Sequence, residues 1–264
     1  MRPIAPNAFK RQLYQRVPQL GYWLSLNSLA ATEVAAGAGF EWVLLDMEHS
    51  TLSVETIERH LLAARHGGDA EFVVRVPSVD AVIVKRLLDT GVRSFMFPYV
   101  PTVEDARLAV AATRYPPAGI RGYSGNTRAN RWATDTSYPG KAHDDIVVIL
   151  QVETPQAVAN IAEYGAIDGV DGIFIGPNDL AASIGLVGQP GHPDVRKLVL
   201  EAGRAILATG KAAGMLDFNV ATARPLVEGD FGFVAIGSDL STVSRGTKQL
   251  LGEFGVRAAA GTGR

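Results

Sequence analysis

The sequence predicts an α/β fold, a (β/α)8 TIM barrel, on three observations. Short apolar runs recur along the chain, and each is followed by an amphipathic, helix-like segment. Most of these runs are continuous rather than alternating, as in FVVRV (72–76) and IVVILQV (146–152). That is the pattern of a parallel strand covered on both faces. Finally, about eight such units in a chain of 264 residues is the size of this barrel. A doubly wound open sheet is the structural alternative, disfavoured because no glycine-rich loop follows the first strand.

Residues 1–16 read as an N-terminal helical segment, broken by proline and charge and without the hydrophobic core of a signal peptide. Strands are expected at 20–26, 42–47, 72–76, 94–99, 146–152, 172–175, 212–218 and 233–236. The segment VDAVIVKRLLDTG reads as a helix stopped at Gly91, and TPQAVANIAEYG as one capped by Thr154 with Pro155 at its first position. The longest irregular stretch, 116–145, is expected as an extended loop over one barrel end. No linker-like stretch divides the chain, so 1–264 is expected as one barrel domain. Residues 256–264 read as a flexible tail.

Composition narrows the function classes. A formal net charge of −2 offers no electrostatic case for nucleic acid or an acidic membrane surface. No apolar run approaches the roughly 20 residues that span a bilayer. The chain has no cysteine, which excludes disulfides, thiolate ligands and a cysteine nucleophile, and suits a cytoplasmic protein.

Barrel enzymes place their chemistry at the C-terminal ends of the strands. Those ends carry Asp46, Glu48 and His49 on the second strand and Arg75 on the third. The fifth carries Gln151 and Glu153, and the sixth runs into Gly176-Pro177-Asn178-Asp179. Polar caps explain one such end more easily than four that converge with both signs of charge. Glu153 and Asp179 end neighbouring strands, where two carboxylates raise each other's pKa unless a cation lies between them. Without thiolates, such a pair suits a hard divalent ion with water and a chelating substrate; alternatively, Glu153 caps the helix that follows it. Arg75 is placed to bind a carboxylate or a developing enolate, or to pair with one of the same carboxylates. The turn at Gly176–Asp179 and the Gly237-Ser238-Asp239 stretch after the last strand are weaker signals, the latter standing where many barrels hold phosphate. No lysine falls at the C-terminal end of a strand, which disfavours imine chemistry. His60 and His66 read as packing or surface residues, while His143 and His192 stay open.

Taken in order, AGFEWVLLDMEHS, VVRVPSVDAVIVKRLLDTG, TRYPPAGIRG, VILQVETPQAV, GVDGIFIGPNDLAASIG, GHPDV and FVAIGSDL resemble the HpcH/HpaI aldolase family, over nearly the whole chain. The resemblance implies a metal-dependent aldolase that reversibly cleaves a 4-hydroxy-2-oxo acid, such as 4-hydroxy-2-oxoheptanedioate or 2-dehydro-3-deoxyglucarate. The products would be pyruvate and an aldehyde or semialdehyde, formed through a metal-stabilised pyruvate enolate. It implies Glu153 and Asp179 as ligands of Mg²⁺, Mn²⁺ or Co²⁺, and Arg75, Gln151 and the Gly176-Pro177-Asn178-Asp179 turn as substrate-binding. His49 becomes the base with Asp46 as its carboxylate partner, and Asp89 an aspartate that approaches the site from a neighbouring subunit. A homohexamer of two trimers with a swapped C-terminal helix is implied too, as is a place in aromatic or sugar-acid catabolism. Met47, where relatives usually have glycine, and the loop 122–132 depart from the pattern and are expected to reshape the aldehyde pocket. A CoA-ester lyase of the citrate lyase β-subunit type and a non-catalytic oxo-acid-binding barrel are the alternatives. The first lacks an evident adenine-nucleotide site, and the second would have lost part of the His49, Arg75, Glu153 and Asp179 set.

Overall fold

The computed structural model describes residues 6–65 and 67–255; His66 and the expected tail at 256–264 lie outside them. Eight parallel strands close into a barrel in sequence order. They are β1 (Gln19–Leu24), β2 (Trp42–Asp46), β3 (Glu71–Arg75), β4 (Ser94–Phe97), β5 (Val147–Val152), β6 (Gly172–Ile175), β7 (Ala212–Leu216) and β8 (Phe231–Ser238). Closure is made by β8 pairing with β1, Leu20 opposite Val234 and Gly21 opposite Ala235. Each expected strand is found, with ends displaced by only a few residues, because continuous apolar runs leave little choice of what to bury.

Side chains alternate between two apolar layers. Those at Trp42, Leu44, Val73, Ile149, Phe174 and Phe233 fill the barrel interior. Those at Val43, Leu45, Val74, Val148, Leu150 and Ile175 pack outward beneath the helices. The interior is full enough to require glycine: a Cβ on Gly21 would stand 2.0 Å from the ring of Trp42. The N-terminal helix Ala8–Gln15 closes the bottom, burying Phe9 and Leu13 in the interior layer. Its cap, Asn7, donates to Ser94 Oγ at 3.0 Å and to the Asp145 carbonyl at 2.9 Å.

Helix boundaries follow the expected chemistry. Asp80 caps Ala81–Thr90, which stops at Gly91 with φ +98°, a left-handed conformation that costs glycine little. Thr154 caps the helix beginning at Pro155.

The irregular stretch after the fourth unit connects a helix to β5, so it belongs to the bottom of the barrel rather than the mouth. Short helical turns at Tyr138–Lys141 and Ala142–Asp145 end it. Residues 121–129 pack on the helix Ala81–Thr90. Arg121, fully buried, pairs with Asp89 at 3.1 Å, Arg128 Nη1 donates to the Thr90 carbonyl at 3.3 Å and Ala129 N donates to the Asp89 carbonyl at 3.2 Å. The loop 122–132 therefore does not border the mouth of its own chain. Among the described residues, no helix is long and apolar enough to cross a membrane.

Candidate active site

The strand ends expected to carry chemistry converge on one mouth. Asp46, Arg75, Gln151 and Glu153 share the inward parity of their strands and are buried. Asp46 and Arg75 are direct register partners across β2 and β3. That register makes a two-point ion pair: Arg75 Nε donates to Asp46 Oδ1 at 2.9 Å and Nη2 to Oδ2 at 2.6 Å, the fork geometry that suits guanidinium to carboxylate. Trp23, at the end of β1, adds a third tie, its Nε1 donating to Asp46 Oδ2 at 3.1 Å. The Arg75 guanidinium lies 4.8 Å from the centroid of the same indole. Burial works against the Asp46 charge, but the hydrogen bonds and charge of Arg75 outweigh it and hold the carboxyl below its usual range.

Glu48 enters the same cluster. Its Oε2 stands 2.8 Å from Arg75 Nη1 and 3.8 Å from His49 Nε2. Residues 46 and 48 share a parity, which turns both inward. Burial pushes its carboxyl up, the charges of Arg75 and His49 pull the other way, and Asp46 and Asp179 add to the rise.

Glu153 does not cap its helix, since Thr154 does, accepting from Ala157 N at 3.1 Å. Instead Glu153 Oε2 accepts from Tyr99 N at 2.9 Å and Oε1 from Gln151 Nε2 at 3.0 Å. Tyr99 holds φ +45°, a rare conformation for a bulky residue, and so aims its N–H at the carboxylate. Gly176 is the floor beneath it: a Cβ there would lie 2.5 Å from Glu153 Oε1. Burial raises the Glu153 carboxyl to about 7; the Tyr99 N–H opposes the rise, and Asp179 and Glu48 add to it. Asp179 is exposed, in the first turn of the short helix Pro177–Ser183.

Three carboxylates, Asp46, Glu48 and Glu153, thus gather about one guanidinium, and a fourth, Asp179, stands at the rim close enough to raise Glu48 and Glu153. Gln151 Oε1 is buried there with no hydrogen-bond partner. The excess negative charge, the raised Glu153 and the orphaned amide oxygen fit a hard cation with its water at Glu153 and Asp179. Among the described residues, no group of three or more His, Asp or Glu is arranged to hold a metal ion.

Several expected placements are revised. His49 meets Asp46 through its backbone N–H at 3.2 Å, not through its ring, which is 65% exposed. Asp89 is not among these revisions: it sits at the end of its helix with Arg121, outside the mouth of its own chain, where a residue serving a neighbouring subunit would stand. Met47 has the opposite parity to Asp46 and packs into the layer beneath the helices, away from the pocket it was expected to shape. At the Gly237-Ser238-Asp239 stretch, the Asp239 carboxylate accepts from Ser25 N and Leu26 N at 3.0–3.2 Å, so an anionic side chain already holds these N–H groups where a phosphate was considered. His60 is buried between Thr32 and Asn27, a packing role as expected. His192 caps the helix Pro193–Ala208, and His143 is a half-exposed surface residue beside Asp144. Trp23 and the Tyr99 N–H had no signal in the sequence, because each acts through a partner brought in from another strand.

A barrel enzyme that works with carboxylates and a guanidinium at its strand ends is the class that this fold and site define. Comparison with known proteins places it more narrowly. The chain is 43% identical over 251 residues to 5-keto-4-deoxy-D-glucarate aldolase of Escherichia coli O9:H4, covering 95% of this chain and 98% of that one. Among solved structures, it is similar to an HpcH/HpaI aldolase/citrate lyase family protein from Burkholderia cenocepacia J2315. The TM-score is 0.91 at 37% identity, over 94% of this chain and 99% of that one. The HpcH/HpaI aldolase from Desulfitobacterium hafniense DCB-2 matches with a TM-score of 0.85 at 26% identity, over 98% and 100% of the two chains. The model of the HpcH/HpaI aldolase/citrate lyase family matches residues 19–245, and the chain belongs to that family. It is a carbon–carbon lyase of the aldolase kind.

Proposed function

We propose that the chain is a class II aldolase that cleaves a 4-hydroxy-2-oxo acid, of the 2-dehydro-3-deoxyglucarate or 4-hydroxy-2-oxoheptanedioate kind, to pyruvate and an aldehyde or semialdehyde. The observation that carries this reading is the mouth itself, where one clamped guanidinium meets Asp46, Glu48 and Glu153, and where Glu153 and Asp179, just beyond the adjacent strands β5 and β6, are able to share a cation. Glu153 and Asp179 would hold the divalent ion, Mg²⁺, Mn²⁺ or Co²⁺. When bound, that ion supplies Lewis acidity to the 2-oxo acid.

The chain's own residues do the rest. Arg75, held by Asp46 on two atoms and by Glu48 on a third, is fixed in direction before substrate arrives. Its charge therefore meets the developing enolate oxygen with little reorganisation. Gln151 presents its free carbonyl oxygen to a hydroxyl or water of the substrate complex. Gly176 leaves room for Glu153, while Pro177, Asn178 and Asp179 bring backbone toward the substrate carboxylate. His49, exposed at the rim, takes the C4 hydroxyl proton as the C3–C4 bond breaks. Asp46 anchors Arg75 and the His49 backbone.

A homohexamer of two trimers extends this reading, with Asp89 serving a neighbour's mouth and the C-terminal helix exchanged. It is supported by Asp89 standing away from its own mouth and by the exposed apolar residues Leu240, Val243, Leu250, Leu251 and Phe254 on and just beyond the helix Asp239–Glu253. A cytoplasmic place in sugar-acid or aromatic catabolism fits the substrate class. The test is pyruvate release from a panel of 4-hydroxy-2-oxo acids with Mg²⁺, Mn²⁺ or Co²⁺. Release is expected to stop on chelation and return with added metal; release untouched by chelation would end the metal reading.

A further inference from the structure

His60 is buried in the middle of the helix Val54–Ala64, where the mechanism above makes no use of it. Both of its ring nitrogens are nonetheless taken. Nδ1 stands 2.6 Å from Thr32 Oγ1, and Nε2 stands 3.1 Å from Asn27 Oδ1. The other end of that amide donates to Thr51 Oγ1 at 3.3 Å, so its oxygen faces the ring. An amide oxygen only accepts, which places the ring proton on Nε2 and leaves Nδ1 to accept from the Thr32 hydroxyl. That hydroxyl is available, because the Ser28 carbonyl, its alternative acceptor at 3.2 Å, already receives the Thr32 N–H at 3.1 Å. Burial lowers the imidazole's pKa against the opposing charge of Asp239, in keeping with a neutral ring.

These contacts end at the rim of the mouth. Asn27 lies in the loop after β1, in a left-handed conformation with φ +48°, and Thr51 lies two residues beyond His49 in the loop after β2. The first loop is gripped from its other side too, where Asp239 accepts from Ser25 N and Leu26 N. In a closed ring of eight strands in sequence order, β1 and β2 stand opposite β5 and β6. Glu153 and Asp179, on the β5 and β6 side, would hold the oxo-acid end. The β1–β2 rim therefore borders the half of the substrate that leaves as the aldehyde.

We infer that His60 is a positioning residue for that aldehyde half: by holding Asn27, and through it Thr51, it locks the loops after β1 and β2 to one another. His60 touches no reacting atom and acts through the shape of the rim alone. This rests on the aldolase reading above.

Two reactions separate positioning from general support of the barrel, because oxaloacetate decarboxylation reaches the same enolate without an aldehyde half. His60→Leu removes both contacts without stranding a buried group, since Asn27 is exposed and the Thr32 hydroxyl can turn to the Ser28 carbonyl. It is expected to lower kcat/KM for cleavage about 10–100-fold, the order for a group misplaced by roughly 1 Å, and at least about ten times further than for decarboxylation. In the direction of aldol addition, KM for the aldehyde should rise while KM for pyruvate stays close to that of the wild type. His60→Gln keeps an acceptor and a donor in place and should recover most of the loss. Asn27→Gly keeps the left-handed backbone, drops the tie and should match His60→Leu. Combined, the two should cost little more than either alone, as expected of residues that act as one unit. Equal losses in cleavage and decarboxylation would mean that His60 merely supports the fold and would overturn the proposal. Wild-type cleavage by His60→Leu, or a His60→Gln variant no better than His60→Leu, would do the same. The imidazole nitrogen NMR spectrum of the wild-type protein gives a readout independent of turnover. His60 is expected as the Nε2–H form, and an Nδ1–H form would refute its bond to Asn27. If the wild type neither cleaves nor decarboxylates, the aldolase reading fails, and the NMR spectrum still decides the His60–Asn27 tie.

Discussion

Arg75 shows how one side chain concentrates the energetics of the mouth. Replacing it with alanine leaves Asp46 buried, and Glu48 half-buried, without their cation, and stripping a buried charge of its partner typically costs about 3–5 kcal/mol. Arg75→Ala is therefore expected to lower the denaturation midpoint and to abolish cleavage and decarboxylation together. Arg75→Lys should retain much of the stability but lose most activity, because an ammonium cannot form the two-point contact with Asp46. Glu153 carries the pH dependence. Its carboxyl, raised to about 7 against an ordinary 4.5, holds its proton more tightly folded than unfolded. Its contribution to stability is full below about pH 4.5 and falls as pH rises toward 7, by an amount on the order of 3 kcal/mol. The metal-free protein should accordingly lose Tm between pH 5 and 8. Added Mn²⁺ should restore Tm at pH 8, since a ligand of the folded state stabilises it, and Glu153→Gln should blunt both the pH slope and the metal gain. A wild-type Tm at pH 8 indifferent to Mn²⁺ would contradict the assignment of Glu153 as a ligand.

At the scale of the element, strand parity decides which neighbours of the same sequence reach the site. On β2 and just beyond it, Asp46 and Glu48 turn inward while Met47 turns beneath the helices. Met47→Ala is thus expected to destabilise the fold by about 2–5 kcal/mol, the range for a truncated core methionine, and to leave the order of preference among aldehydes unchanged. Gly176→Ala makes the complementary prediction. Its Cβ would collide with Glu153 Oε1, so metal affinity measured by calorimetry should fall at least about tenfold, the lower end for disturbing a ligand's support. The inward Arg75 was legible in the sequence, and so were the Thr154 cap and the Gly91 stop, whereas Glu48 was expected to turn away from Asp46 and His49. Trp23 was not, because an indole at a strand end reads as core until the strand opposite supplies Asp46. The role of Asp239 was equally hidden, since its donors, Ser25 and Leu26, lie some two hundred residues away in sequence.

Across the whole molecule, the closed sheet brings strand ends that are far apart in sequence around one mouth, and the loop 122–132 runs along the helix Ala81–Thr90 rather than over that mouth. The apolar residues exposed on the C-terminal helix are the surface through which assembly would be built. Leu250→Glu with Leu251→Glu is expected to shift the particle mass seen by light scattering from that of the proposed assembly toward smaller species, with the barrel still folded by circular dichroism. An unchanged mass would remove that helix from the interface. The sequence by itself determined the eight-unit rhythm, the polar strand ends and the family, because burial periodicity and strand-end chemistry are local properties of the chain. Only the tertiary structure decided that Asp46 spends its oxygens on Arg75, that Glu48 faces His49, and that Met47 leaves the pocket. Those outcomes depend on register between neighbouring strands and on competition for a limited number of lone pairs, which no single segment of sequence contains.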